Sequence, residues 1–225
     1  GEEHIKTLRE KTKIWDAWAD EEGRLETAYG RFWRRYPVPE VALDGEVFAD
    51  ENNPWTTREE NGQLVFDQIQ YVIDTLKELK INPNHKNGRR MIVVAWNPGN
   101  ATISKLPPCH YTFAFNVLGN KLNCHLTQRS GDIALGIPFN LACYSLLTMM
   151  LAKECGYEVG EFSHTIIDAH IYENHIEGLK EQLTRKPLKL PKIKIADKPF
   201  NELTFDDIKL EDYESYPLIK FEVAV

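Results

Sequence analysis

A cysteine that follows two prolines is the first feature of this sequence that could do chemistry. In Leu106–His110, the pair Pro107-Pro108 fixes the approach of the chain to Cys109, which starts a strand-like run. A cysteine attacks as its thiolate, which needs nearby positive charge or hydrogen-bond donors, and a rigid approach suits a thiol that must be aimed. The same residues also fit a structural proline turn, and His110 alone is no better than a histidine of the core.

A second cluster, Gln128-Arg129-Ser130, could bind an anion. An arginine beside a serine at a strand end holds a phosphate through charge-assisted hydrogen bonds, although an isolated arginine more commonly pairs with a carboxylate. Asp132 and Asn140 flank an apolar turn that leads into a buried helix. Polar groups in such a place need partners from the backbone or from a ligand, so both are candidate binding residues.

A third cluster lies in Asp168–His175. If this segment is a strand, Asp168, His170 and Tyr172 lie on one face, because side chains two residues apart point to the same side of a strand. The pair of His170 and Tyr172 is chemically suited to the hydroxyl groups of a sugar. The other histidine, glutamate and asparagine of this segment do not complete a metal-ligand set, so no metal site is predicted.

Hydrophobic periodicity predicts the elements that must position these clusters. Val65–Lys80 has apolar residues at helical spacing, and the apolar run Pro138–Cys155 is too long for a strand. The chain is predicted to form one α+β domain, with strands mainly in the middle and helices packed on one side. Strands are also predicted at Met91–Trp96, Ile193–Ile195 and Ile219–Val223, and a helix is predicted at Asn174–Arg185. Tyr111–Leu118 and Leu122–Gln128 are predicted to form a hairpin around Gly119–Lys121. Val38–Gly62 is predicted to be a solvent-exposed loop between two structured parts.

Composition excludes several classes of protein. With 225 residues and 42% hydrophobic content the chain can bury a core, and no apolar run approaches the roughly 20 residues that span a bilayer. The net charge of −7 argues against broad binding to DNA or RNA, so basic groups for an anionic ligand must be concentrated locally. Four cysteines without a C-x-x-C pair, and a polar first segment without a secretory signal, indicate reduced thiols in a cytoplasmic protein. The absence of a glycine-rich dinucleotide loop argues against a flavin or nicotinamide cofactor.

Taken in order, these clusters resemble the thymidylate synthase family over nearly the whole chain. Each motif alone is weak, whereas their joint order and spacing are specific. The motifs are Ile14–Asp20, Tyr29-Gly30-x-x-Trp33-Arg34, Arg89-Arg90, Ala95–Pro98, Pro107–His110, Gln128–Ser130, Leu135-Gly136-x-Pro138-Phe139-Asn140, Asp168-x-His170-x-Tyr172 and the terminal Ala224-Val225.

The resemblance implies an α/β sandwich that works as a symmetric homodimer across the sheet. It implies methylation of deoxyuridine monophosphate (dUMP) by 5,10-methylenetetrahydrofolate without a metal, with Cys109 adding to C6 of the uracil. Catalytic roles are implied for Cys109, His110, Asp132 and Asn140. Contacts to dUMP are implied for Gln128, Arg129, Ser130, Asp132, Asn140, His170 and Tyr172, with Arg89 and Arg90 reaching the neighbouring subunit's site. Contacts to folate are implied for Trp15, Trp18, Asp132, Phe139 and Ala224.

Asn140 is the residue whose side chain indicates which pyrimidine base the site would bind. A carboxamide offers a donor and an acceptor side by side, which matches O4 and N3–H of uracil. An aspartate there would suit the cytosine edge, as in the related deoxycytidylate hydroxymethylases. Asn140 therefore predicts a uridylate substrate.

The sequence also departs from the family pattern. The family usually has glutamine at Phe32 and Ala114, glycine at Ile167 and a bulky aromatic at Ala134, and these changes are expected to alter the wall of the site. The family's phosphate loop and a catalytic glutamate precede the position matching Gly1, so we expect that segment to be missing. Two alternatives stay open: a uridylate hydroxymethylase, in which water captures the methylene, and a homologue that only binds nucleotide or RNA.

Overall fold

The computed structural model describes residues 5–10, 12–25, 29–40 and 53–223. Its helices are α1 (Ile5–Leu8), α2 (Tyr29–Arg34), α3 (Gln68–Ile81), α4 (Pro98–Ile103), α5 (Gly136–Cys155) and α6 (Ile176–Thr184). Its strands are β1 (Tyr36–Pro37), β2 (Thr56–Arg58), β3 (Leu64–Phe66), β4 (Ile92–Val94), β5 (His110–Leu118), β6 (Lys121–Asp132), β7 (Glu158–His170), β8 (Lys192–Ile195) and β9 (Ile208–Glu211). In this part of the chain, no helix is both long and apolar enough to cross a membrane.

The central sheet has the strand order β4-β5-β6-β7. β5 pairs antiparallel with β4 and β6, whereas β6 and β7 are parallel. The β5–β6 connection is a tight turn in which Gly119 has a φ of 63°, a conformation that a side chain would disfavour. Parallel neighbours need a crossover, and α5 supplies it between β6 and β7.

One face of this sheet packs on α3 and α5 and forms the core. Alternation along β5 and β6 places Phe113, Phe115, Leu122, Cys124 and Leu126 on that face. From the helices come Ile69, Val72, Ile73, Leu76, Leu79, Tyr144, Leu147, Leu151, Ala152 and Cys155. The predicted α+β class, with helices on one side of the central strands, is confirmed for the described residues.

The opposite face of the sheet, which we call the open face, carries exposed side chains. Ile92 is half-exposed, Ile167 is 67% exposed, and His125 is exposed between them. Ala114 pairs with Ile92 and His125, so it lies on the same face. Strand alternation therefore turns the side chains of Ala114 and Ile167 away from the core and onto the open face, and their expected effect on the wall of the site stays a prediction.

Several predicted elements shift for local reasons. The predicted helix at 65–80 begins only at Gln68, because Leu64–Phe66 pairs with β1 and β2 and Asp67 caps the helix by accepting the amide of Gln70. The helix predicted at 174–185 is a 3₁₀ turn at Glu173–His175 followed by α6. Part of the predicted excursion at 38–62 forms β2, and its residues 41–52 lie outside the described ranges.

Three differences concern strands. The predicted strand at Ile219–Val223 is wrong, since these residues form no ladder. β7 was missed from Glu158 to Ile167, although it is the longest strand described. β9, within the acidic connection, was also missed and pairs with β8.

The end of β6 is packed too tightly to accept a methyl group at Gly131. A Cβ there would lie 2.7 Å from Ile137 Cδ1 and 2.9 Å from Ile166 Cγ2. We expect Gly131→Ala to lower the free energy of unfolding by about 1–3 kcal/mol, as overpacking does in a filled interior. Gly136→Ala is the matched control, since its Cβ would meet Asp132 Cβ at an ordinary 3.7 Å. Urea denaturation measures both, and equal stability of the two variants would contradict the packing argument.

Candidate active site

The three polar clusters meet at one edge of the central sheet. Because β5 runs against β6, the start of β5 lies beside the end of β6, and His110 pairs with Gln128. Because β6 and β7 are parallel, their carboxyl ends also meet, and Asp132 pairs with His170. α5 begins just after β6 and carries Asn140 in its first two turns. We call this edge the site rim.

Cys109 is held on the rim by contacts at its backbone and at its sulfur. Its amide donates a hydrogen bond of 2.8 Å to Tyr29 Oη, and its Sγ lies 3.6 Å from Arg129 Nη2. The same guanidinium donates to the carbonyls of Pro107 at 2.8 Å and Pro108 at 3.0 Å. The two prolines therefore position both the Cys109 sulfur and the Arg129 guanidinium beside it. A guanidinium at this distance stabilises a thiolate by electrostatic attraction.

Three aromatic rings lie behind the cysteine, of which Tyr144 is buried and Tyr29 and His110 are partly buried. The rings of Tyr29 and His110 are 3.6 Å apart and nearly parallel, and His110 Nδ1 lies 2.6 Å from Tyr144 Oη. Burial raises the pKa of both tyrosines above its ordinary value of 10, so both phenols stay protonated near neutral pH. Burial, and secondarily His164, lowers the pKa of His110 to about 3. His110 is therefore a neutral hydrogen-bonding group.

This neutral histidine makes stability depend on pH. The unfolded chain takes up a proton on His110 below pH 6.5, whereas the folded protein does so only near pH 3. From pH 6.5 downward we expect the free energy of unfolding to fall by up to about 1.4 kcal/mol per pH unit from this group. Above pH 6.5 the group contributes no slope.

Urea denaturation between about pH 7 and pH 5, at one protein concentration, checks this expectation. His110→Asn keeps a nitrogen near Tyr144 Oη but removes the titrating ring, so its slope should be shallower than that of the wild-type protein. The wild-type protein, measured under the same conditions, is the reference. Equal slopes for wild type and His110→Asn would rule out the assignment.

A buried amide fixes the direction of Asn140. Gln128 is 2% exposed and its Nε2 donates to Ser130 O at 2.8 Å and to Asn140 Oδ1 at 3.0 Å. Its Oε1 lies 3.0 Å from His164 Nε2, which must be the donor because an amide oxygen only accepts. The chain of hydrogen bonds from His164 through Gln128 thus orients the carboxamide that was predicted to read the base.

The residues predicted to bind a sugar lie on the same rim. The rings of His170 and Tyr172 are 5.1 Å apart, edge to face, and both are partly buried. β7 ends at His170, so the predicted strand alternation does not extend to Tyr172, which lies just before the 3₁₀ turn that follows. Asp132 Oδ1 accepts the amide of Ala134 at 3.0 Å, as part of the turn into α5.

Comparison with known proteins decides the family. The family model described as thymidylate synthase matches residues 1–225. The chain is also 46% identical to the thymidylate synthase of Haloferax volcanii, in an alignment that covers 100% of this chain and 77% of that relative. The chain belongs to the thymidylate synthase family. It is therefore an enzyme, a methyltransferase of the thymidylate synthase type, and the resemblance deduced from its motifs is confirmed.

Thymidylate synthases act on dUMP with 5,10-methylenetetrahydrofolate, so the site should offer a surface for a flat heteroaromatic ring. Trp15 and Trp18 form an edge-to-face pair 5.9 Å apart, and Phe139 is 72% exposed beside Asn140. Lys105 Nζ donates to Ala19 O at 2.8 Å, which ties the tryptophan segment to the loop before Cys109. Apolar ring faces and a carboxylate acceptor are the kinds of group that a pterin would need. Ala224 lies outside the described residues.

Arg89 and Arg90 are not brought to the Cys109 of their own chain. Both are exposed, and Arg89 lines a cavity of about 700 Å³ together with Gly119 and Asn120. That turn is at the far end of β5 from Cys109, a separation of roughly 30 Å along a nine-residue strand. Arg89 therefore lies away from the site rim of its own chain.

Sequence reasoning missed three residues of the site. Tyr144 and His164 were not identified, and Tyr29 was noted only as part of a motif. Tyr144 could have been found as the single tyrosine in the apolar run of α5, because the hydroxyl of a buried tyrosine needs a hydrogen-bond partner. Within the described residues, no cluster of three or more potential metal ligands occurs.

Proposed function

We propose that this chain converts dUMP to dTMP, with Cys109 as the nucleophile and 5,10-methylenetetrahydrofolate as cosubstrate. The observation that carries the proposal is the pair of Cys109 Sγ and Arg129 Nη2, 3.6 Å apart at the rim. Supporting it is the carboxamide of Asn140 on the same rim, aimed by a buried glutamine. A nucleophile and a base-reading group held by rigid elements are what addition to a pyrimidine ring needs.

In the proposed first step, the Cys109 thiolate forms a bond to C6 of the uracil and the C5–C6 double bond opens. The electron pair moves toward C5 and O4, where the Asn140 amide would hydrogen-bond the developing charge. C5 is then nucleophilic. C5 then bonds to the one-carbon unit, after which C5 loses its proton to water and the bond from that carbon to the folate nitrogen breaks, which leaves an exocyclic methylene. Hydride adds to this methylene while the ring double bond forms again and the Sγ–C6 bond breaks, which releases the Cys109 thiolate.

The folate would lie against Trp15, Trp18 and Phe139, with Asp132 accepting from the pterin. When bound it supplies the one-carbon unit and the hydride that reduces this unit to a methyl group. The chain's own part is to hold the ring and exclude water, because water can capture the methylene in place of hydride. Ala224 is proposed to take part in this closure.

The nucleotide's phosphate and sugar would be held by the remaining rim residues. Arg129 Nη1 has no hydrogen-bond partner in the described part of the chain, so it can donate to a phosphate while Nε and Nη2 hold the proline carbonyls. Ser130 lies beside it, and His170 with Tyr172 would bind the 3′-hydroxyl. His110 and Gln128 would order the polar groups around the base.

We propose that two copies of the chain pair across the open face, so that Arg89 and Arg90 complete the partner's phosphate site. The distance of these arginines from their own Cys109 supports this arrangement. Residues 1–225 are proposed to form one catalytic domain. A cytoplasmic location is proposed from the cysteines, which are free in the structure, with burial raising the pKa of Cys124 and Cys155 to about 12.

The test is the mass of the nucleotide formed from dUMP and methylenetetrahydrofolate by the full-length protein. A gain of one methylene with dihydrofolate formed supports the proposal. A gain of a hydroxymethyl group with tetrahydrofolate released would assign the chain as a hydroxymethylase. If no new nucleotide forms while dUMP still binds, the chain acts only as a nucleotide-binding protein and the proposal is overturned.

A further inference from the structure

Tyr144 is a fully buried tyrosine to which the proposed reaction assigns no role. It lies in α5, and its ring packs against those of Phe113, Trp33 and Phe162 at centroid distances of 5.0, 5.7 and 6.3 Å. Among the described residues, its hydroxyl has a single hydrogen-bond partner, Nδ1 of His110, at 2.6 Å. The hydroxyl depends on that one partner, because an unpaired polar group in apolar surroundings is costly.

The direction of this hydrogen bond follows from the protons available. Burial raises the pKa of the Tyr144 phenol, which stays protonated, and burial lowers the pKa of His110 to about 3, so the neutral imidazole carries one ring proton. If that proton were on Nδ1, it would be donated to the phenol oxygen, and the phenol proton would have no acceptor. If Tyr144 donates instead, both groups are satisfied, and the ring proton of His110 is on Nε2.

Nε2 of His110 is the ring nitrogen left free at the site rim. It has no hydrogen-bond partner in the described part of the chain, and it is not sealed from solvent. His110 pairs with Gln128 across β5 and β6, so both side chains lie on one face with Cβ atoms about 5 Å apart. Gln128 in turn holds the carboxamide of Asn140. A donor is therefore available next to the group that is proposed to read the base.

Two contacts hold the imidazole in this orientation. Tyr29 stacks on it at 3.6 Å with ring planes 12° apart, which fixes the plane of the ring. A half-turn of the ring would keep that stack but would put a carbon atom in the place of Nδ1. The phenol proton of Tyr144 would then lose its acceptor, so the hydrogen bond from Tyr144 decides between the two orientations as well as between the two tautomers.

We propose that Tyr144 is a positioning residue that sets the tautomer and orientation of His110, so that Nε2–H is presented to the pyrimidine as a hydrogen-bond donor. The proposal rests on the proposed function for the substrate, and on geometry alone for the tautomer. When Cys109 adds to the pyrimidine, negative charge develops on its carbonyl oxygen. A fixed donor stabilises that charge, whereas the lone pair that the other tautomer would present repels it.

The tautomer is measured on the wild-type protein without substrate. Nitrogen-15 chemical shifts of the His110 ring near neutral pH should show a proton on Nε2 and an unprotonated, hydrogen-bonded Nδ1, and His110→Asn identifies these signals by their loss. In Tyr144→Phe, which removes only the hydroxyl, the Nδ1 signal should move because that nitrogen has lost its donor. A wild-type ring protonated on Nδ1 would overturn the proposal.

Kinetics measure the effect on the reaction. We expect Tyr144→Phe to lower kcat for dTMP formation about tenfold with KM for dUMP little changed, as for one hydrogen bond that acts in the transition state. Tyr157→Phe is the matched control, since it removes a hydroxyl that donates to the Leu76 carbonyl at 2.9 Å. Tyr157 precedes β7, at the end of the sheet opposite to the rim, so kcat should not change. Equal kcat values for the two variants would show that Tyr144 only fills space.

Two substitutions of His110 separate its two ring nitrogens. In His110→Gln the amide nitrogen can take the place of Nε2, whereas in His110→Asn it takes the place of Nδ1 and cannot reach the base. We expect His110→Asn to lower kcat roughly 10²-fold and His110→Gln to retain most of it. Adding Tyr144→Phe to His110→Gln should cause no further loss, because the donor no longer depends on the phenol. Additive losses in the double variant would contradict a role through His110.

These outcomes are distinguishable from a failure of the proposed function. If the wild-type protein made no dTMP, the proposed function would fail, while the nitrogen-15 shifts would still decide the tautomer. Should Tyr144→Phe fail to fold, the wild-type tautomer and the kcat values of His110→Gln and His110→Asn are decisive. Equal kcat in those two variants would overturn the proposal.

Discussion

Replacing Cys109 with alanine should lower kcat for dTMP formation by roughly 10⁴-fold or more, because no other group of the rim can form the bond to C6. The fold should survive, since Arg129 keeps its hydrogen bonds to the carbonyls of Pro107 and Pro108 and Tyr29 keeps the backbone amide of residue 109. The effect is thus on the reaction and not on the architecture of the rim.

5-Fluoro-dUMP makes the loss visible directly. The ring can accept Cys109 and the one-carbon unit, but fluorine cannot leave C5 as a cation, so the adduct accumulates. Denaturing mass spectrometry should show this adduct on the wild-type protein and none on Cys109→Ala. Cys143→Ala is the control, because that exposed thiol lies on α5 and makes no contact with the rim nucleophile. An adduct that persists in Cys109→Ala would show that another residue is the nucleophile.

The second large effect is a change of substrate in Asn140→Asp. Gln128 Nε2 donates to Asn140 Oδ1 at 3.0 Å, and an aspartate oxygen can accept the same bond, so the side chain should keep its direction. What changes is the group facing the base, from a donor with an acceptor to a carboxyl group. Uracil O4 would then face an oxygen, whereas the amino group of cytosine would find an acceptor.

We expect kcat/KM for dUMP to fall roughly 10³-fold or more in this variant, with dCMP becoming the better substrate. Competition between the two nucleotides, followed by the mass of the products, measures the switch. Asn140→Ala separates recognition from general damage, since it should lose dUMP without gaining dCMP. Turnover of dCMP by the alanine variant at the same rate would show that Asn140 does not read the base.

Local patterns were sufficient for two of the elements that carry the site, α5 and the hairpin of β5 and β6. The apolar run up to Cys155 predicts α5 to within two residues at its start, and Gly119 marks the turn between β5 and β6. Both are short-range properties, set by side-chain periodicity and by backbone freedom at one position. The order of the motifs along the chain also indicated the family, which the comparisons confirm.

Other features depended on residues far apart in the chain. β7 was missed because its partner β6 is parallel and separated by a whole helix, so no local turn signals the pairing. Residues 219–223 were predicted as a strand from their apolar character, yet they form no ladder, and the buried His175 contacts the Glu222 carbonyl instead. Strand register, which the sequence does not show, also places Ala114 and Ile167 on the open face.

The amino-acid sequence by itself thus determined the α+β class, the helix that follows β6 and the order of chemistry-bearing residues, because these follow from local periodicity and spacing. Only the tertiary structure decided which groups touch. It brought Tyr29 to the amide of Cys109 across 80 residues and His175 to Glu222 across 47. Such contacts depend on how the sheet and helices pack, and a hydrogen bond formed over that distance leaves no pattern in the neighbouring residues.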